Sequence, residues 1–138
     1  MKLYFENRTA EIFEMSPPPT FQELHGPFIV TTESTNDIKK LLGKSWDQVI
    51  SASFWDRNFS IPCWLSQKGL KYYLPAIIIS STSEYELTGT TSIAADTVVS
   101  ILELYTNKDW EIYSDDQQEL IFEWIDYLKL NFSSICFA

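Results

Sequence analysis

Hydrophobic positions recur with helical spacing along much of the chain, most plainly between Trp64 and Ser81. Leu70, Tyr73, Leu74, Ile77 and Ile78 follow the i, i+3, i+4, i+7, i+8 rule of a buried helical face. Ser66, just ahead of them, predicts an N-cap, because its hydroxyl can accept a hydrogen bond from a free N–H of the first turn. Pro75 falls inside the run, where it removes a backbone donor and its ring crowds the carbonyl of Lys71. It also pushes Leu74 away from helical angles. The apolar stripe nevertheless keeps its phase across Pro75, which predicts one kinked helix rather than two. Such a kink deprives the Lys71 carbonyl of its usual partner, so water, a side chain or a ligand must satisfy it.

The other plain pattern closes the chain. Ser114-Asp115-Asp116-Gln117 reads as a capping box, with two carboxylates at the positive end of the helix dipole. Leu120, Ile121, Trp124, Ile125 and Leu128 form the apolar face that follows, with Trp124 as its bulkiest structural residue. Opposite them lie Asp116, Glu119, Glu123 and Asp126, an acidic stripe that only Lys129 relieves nearby. The tail, Phe132 to Ala138, is apolar enough to pack back on the core.

The remaining chain supplies shorter elements. Met1 to Met15 favours a helix, although KLYFE also suits a strand, and Pro17-Pro18-Pro19 ends it. Thr20 to Gly26 reads as a connector. Phe28 to Thr32 is β-branched enough for one minor strand. Ser34 or Thr35 is expected to cap a helix from Asn36 to Leu42, closed by Gly43. Trp46, Val49 and Ile50 continue as a turn or helix toward Trp55, Asp56-Arg57-Asn58 makes a polar turn, and Ser60-Ile61-Pro62 leads into the central helix. Ser80 to Thr91 reads as the longest unpatterned linker and a mobile loop. Ser92 then caps a segment whose Ile93, Val98, Ile101, Leu102 and Tyr105 suit a helix, with a strand left open by Thr97-Val98-Val99. The expected fold is therefore mainly α, a single helical domain over residues 1–138 around the proline-kinked helix.

The pattern Leu65-Ser66-x-x-Gly69-x-x-Tyr72-Tyr73-Leu74-Pro75-Ala76 resembles the central signature of an uncharacterised bacterial family of small soluble proteins. Ile12-Phe13 followed by the prolines, Gly43-Lys44-x-Trp46 and the closing helix extend the likeness over most of the chain. The family has no activity to carry over. Some such acidic proteins sit beside toxin genes, and the resemblance therefore implies immunity.

Charge narrows the partners. Nineteen acidic against ten basic residues give a net charge of −9, which repels nucleic acid and anionic membranes alike and favours a basic partner. At 138 residues, with 15% aromatic content, the chain is long enough to bury a core. Cys63 and Cys136 are too few for a disulfide framework or a zinc site and read as structural thiols. The first residues carry charges where a secretory segment needs an apolar run, and no stretch nears the roughly 20 apolar residues of a membrane span. A cytoplasmic location is expected.

Candidate chemistry is sparse. His25, the only histidine, sits beside Gly26 and Pro27 and reads as a surface or capping residue. No zinc, calcium or phosphate-cradle motif occurs, and no cofactor or metal is expected. These readings favour a non-catalytic binding protein, an immunity protein that neutralises a basic, cytoplasm-acting toxin domain. Asp116, Glu119, Glu123 and Asp126 are its expected partner-binding residues, with Tyr72 and Tyr127 as aromatic anchors. The alternatives are a small-ligand protein or enzyme with a pocket at Pro75, lined by Tyr72 and Tyr73, and a self-associating scaffold.

Overall fold

A computed structural model describes residues 2–136, with side chains as far as Lys129. Among the described residues the order is α1 (Lys2–Ile12), α2 (Phe21–Leu24), α3 (Thr32–Lys39), a 3-10 turn (Trp46–Val49), α4 (Ala52–Arg57), α5 (Ile61–Trp64), α6 (Gln67–Thr88), α7 (Ile93–Glu103), α8 (Asn107–Trp110) and α9 (Asp115–Cys136). Their only strand-like pairing is an isolated antiparallel bridge between His25 and Leu65. The chain is mainly α.

Helix α6 begins where its cap demands. Ser66 Oγ accepts from the Gly69 N–H at 2.9 Å and donates to the Glu23 carbonyl at 2.6 Å, so the cap also ties α6 to the end of α2. Ser66→Ala removes both bonds and is expected to lower the unfolding free energy by about 1–2 kcal/mol, read from a shifted urea midpoint at constant slope. Gly69 matters here because a Cβ would meet the Leu24 carbonyl at 3.0 Å. Its absence lets α2 lie close.

The five predicted core positions of α6 are buried, and so is every residue from Tyr73 to Thr82. A helix covered all round sits at the centre of its fold, and α1, α2, the 3-10 turn, α4 and α7 all pack on this one. The helix runs through Pro75 without ending. The Tyr73 hydroxyl donates to the carbonyls of Leu41 and Lys44 at 3.0 and 2.7 Å, which binds the turn after α3 to the core.

Several expectations need correction. Ser80 to Thr91 is not a mobile linker, because α6 continues to Thr88. Ser80 and Ser81 donate to the carbonyls of Ile77 and Ile78, and Thr82 to that of Ile78. Hydroxyls satisfied by the preceding turn can be buried like apolar groups, and Gly89, at φ +74°, supplies the left-handed cap. Phe28 to Thr32 forms no strand: Phe28, Ile29 and Val30 are exposed, and α3 starts at Thr32. A capping box between Thr31 and Ser34 places that start well before Asn36. Thr20 to Gly26 is not mere connector, since Thr20 and Glu23 form another capping box around α2. Asp56 and Arg57 belong to α4 rather than to a turn. The first segment is helical, as favoured, and so is the segment capped by Ser92.

Two single residues also differ. Cys63 is exposed and cannot be a core thiol; the side chain of Cys136 and the packing of the tail lie outside the described residues. His25 is buried, with Nδ1 2.8 Å from the Gly26 carbonyl and Nε2 2.9 Å from Ser34 Oγ. Nδ1 donates, since a carbonyl only accepts. The ring thus bolts the α2 end to α3, which a connector position in the sequence does not suggest.

Candidate functional site

Helix α9 is held by the face the sequence assigns to the core. Leu120, Ile121, Trp124, Ile125 and Leu128 are all buried, and the predicted capping box is present, Ser114 with Gln117 at 3.0 and 3.1 Å. That burial turns the acidic stripe outward, but α1 lies along it. The Tyr4 hydroxyl donates to Glu123 at 2.5 Å, and this bond, with burial second, raises the phenol above its ordinary pKa. Arg8 sits 3.8 Å from Asp116 and also pairs with Glu11 at 2.9 Å. Glu119 and Asp126 remain exposed, with no cation within 4 Å among the described residues. The four acids therefore fall into two roles, two that hold α1 and two that are free.

Of the anchors proposed with them, Tyr127 shares α9 with the acids and Tyr72 belongs to α6. Tyr127, one turn from Glu123, is half-buried, its ring 5.6 Å from those of Phe5 and Tyr85. Tyr72 is half-buried on α6 and donates to the Ser16 carbonyl at 2.9 Å. Burial pushes its phenol pKa up.

Around Tyr72 and Pro75 opens a cleft of about 740 Å³. It is bounded by the end of α1 and the proline segment, by the first turns of α6, and by the chain from Glu111 into α9. Gln117 Nε2 closes the junction by donating to the Ile12 carbonyl at 3.0 Å. On one wall Glu23 pairs with Lys68, and that bond first, then the Thr20 backbone N–H, holds the Glu23 carboxyl down at about 2. Lys71 Nζ stands 5.8 Å above the centroid of the Tyr113 ring. The sequence pointed to this place through the interrupted hydrogen bond at Pro75 and through Tyr72, which lines it; Tyr73, expected beside Tyr72, is instead wholly buried, with its hydroxyl donating to the Leu41 and Lys44 carbonyls. Glu14, Lys71 and Glu111 carry no local signal, because segments far apart in the chain bring them together.

Comparison with protein-family models, with curated proteins and with solved structures returns no match. The functional reading accordingly stands on the residues themselves.

One further carboxyl group is set apart by its surroundings. Glu84, on the last turns of α6, is half-buried, and its Oε2 has no hydrogen-bond donor. Burial first, and then the Asp56 carboxyl on α4, raise its pKa to about 7. Two carboxyls can bond to each other only by sharing a proton, so only a protonated form can join Glu84 directly to Asp56.

Proposed function

We propose that this chain is a non-catalytic binding protein, an immunity protein that takes a basic toxin domain on the outer face of α9. The observation that carries the reading is the pair of free carboxylates, Glu119 and Asp126, presented on a helix whose opposite face is wholly buried. A helix anchored in this way offers its charges without having to order them on binding, which limits the entropic cost of the contact. The net charge of −9 extends the same field over the surface, and long-range attraction of that sign speeds encounter with a basic partner. Both ring nitrogens of His25 are engaged within the fold, which speaks for a structural histidine. The cytoplasmic location follows from the kind of toxin the reading invokes.

The test is co-expression with the product of the adjacent gene, scored by growth and by co-purification. Relief of toxicity by a stable complex is the expected result. Glu119→Lys with Asp126→Lys should then weaken the complex roughly tenfold to a hundredfold, mainly through slower association, and flatten its salt dependence. Asp116 and Glu123 are left in place because they hold α1. A harmless neighbour, or a complex indifferent to the double reversal, would overturn the reading.

A further inference from the structure

Neither free carboxylate of α9 lines the cleft beside Pro75, whose chemistry can be read independently. At about 740 Å³ it lies within the usual range of ligand sites. Part of its charge is already settled, since Lys68 and Glu23 neutralise each other. The rest is not. Lys71 rests on the face of the Tyr113 ring and has no carboxylate within 4 Å, while Glu14 and Glu111 have no cation within that distance among the described residues. Pro75 offers no N–H to the Lys71 carbonyl, so α6, which forms this side of the cleft, has a backbone acceptor without its helical donor. Ile12, Phe13 and Ile112 supply apolar lining beside these groups.

Each simple ligand class leaves part of this wall unsatisfied. An anion would meet Glu14 and Glu111, a cation would meet Lys71, and a neutral apolar molecule would desolvate all of them without recompense. A molecule with separated charges of both signs, an N–H to donate and an apolar side chain answers every group. We propose that this cleft binds a short free peptide, with its terminal carboxylate on Lys71, a backbone N–H toward the Lys71 carbonyl, its ammonium toward Glu14 and Glu111, and an apolar side chain against Ile12 and Ile112. Binding is non-covalent, and the rigid prolines at positions 17 and 19 keep the opening formed.

The probe is the tripeptide Lys-Phe-Leu, titrated into the full chain and followed by amide NMR shifts and calorimetry, alongside its C-terminal amide and its N-acetyl form. Saturable shifts confined to the cleft are expected, with affinity roughly tenfold lower for the amide because its end no longer pairs with the lysine. Lys71→Met, half-buried and able to keep the apolar contact with the Tyr113 ring, should bind acid and amide equally. Glu111→Gln should lose the preference for the free amine over the N-acetyl peptide. The acetylated peptide binding as tightly as the free one would assign the cleft to a protein chain end and overturn the free-peptide assignment. Equal binding of acid and amide by the unaltered chain, shifts elsewhere, or no saturation at millimolar peptide would overturn the site. Unchanged thermal unfolding of both variants keeps these outcomes separate from loss of fold.

Discussion

Replacing Trp124 with alanine is expected to destabilise the fold by about 3–5 kcal/mol, the range for deleting a fully buried aromatic ring. Trp124 is fully buried, and its Nε1 donates to Ser81 Oγ at 2.9 Å. The indole is thus both a fully buried ring that α9 sends to α6 and the partner of a hydroxyl that the interior would otherwise leave with less bonding. For a domain stable by about 5–15 kcal/mol, such a loss brings unfolding within reach of mild conditions. Trp124→Phe separates the two contributions, since it keeps most of the ring and removes only the donor, and should cost roughly 1–2 kcal/mol. Urea unfolding followed by circular dichroism checks both variants. A change below about 1 kcal/mol for the alanine variant would mean that the site collapses around the lost ring, contrary to the packing described.

The second large effect depends on pH. Glu84 in the folded chain titrates near 7, above its ordinary value of 4.5, so the folded state holds this proton more tightly than the unfolded chain does. The sign follows from linkage: the contribution is fully present below the unfolded pKa, fades as pH rises between about 4.5 and 7, and is gone above that. The shift corresponds to a few kcal/mol, which partial exposure and sharing with Asp56 reduce to about 2 kcal/mol. Glu84→Gln keeps a donor for Asp56 at every pH. Relative to the parent chain it should therefore gain about 2 kcal/mol on going from pH 5 to pH 8. Taking the difference between the two chains cancels carboxyl groups such as Glu23, whose lowered pKa acts in the opposite sense as pH falls. Parallel stability curves for parent and variant across that interval would show that Glu84 is not held protonated.

What was legible in the chain was what neighbours in sequence decide. Spacing alone placed the buried faces of α6 and α9, and the Ser66 and Ser114 caps marked their starts, because helix faces and caps depend on residues within about four positions of one another. The same local logic misled where two local rules competed. The serines and threonine at 80–82 look like a loop by composition, yet their hydroxyls bond to the preceding turn and stay in the helix core. Phe28 to Val30 has strand-like side chains, but a strand needs a partner, and none pairs with it among the described residues.

The sites belong to the other kind of information. That α9 turns acid outward follows from its own periodicity, whereas only the packing of α1 separates Asp116 and Glu123, which are engaged by Arg8 and Tyr4, from Glu119 and Asp126, which are not. The cleft joins residues near 14, 71 and 111, and the raised carboxyl joins Asp56 to Glu84. The sequence by itself determined the helical class, the central and closing helices and the sign of the surface. Tertiary structure decided which charges are free, because burial and pairing across distant segments depend on how helices meet, and no periodicity within a single helix encodes that meeting.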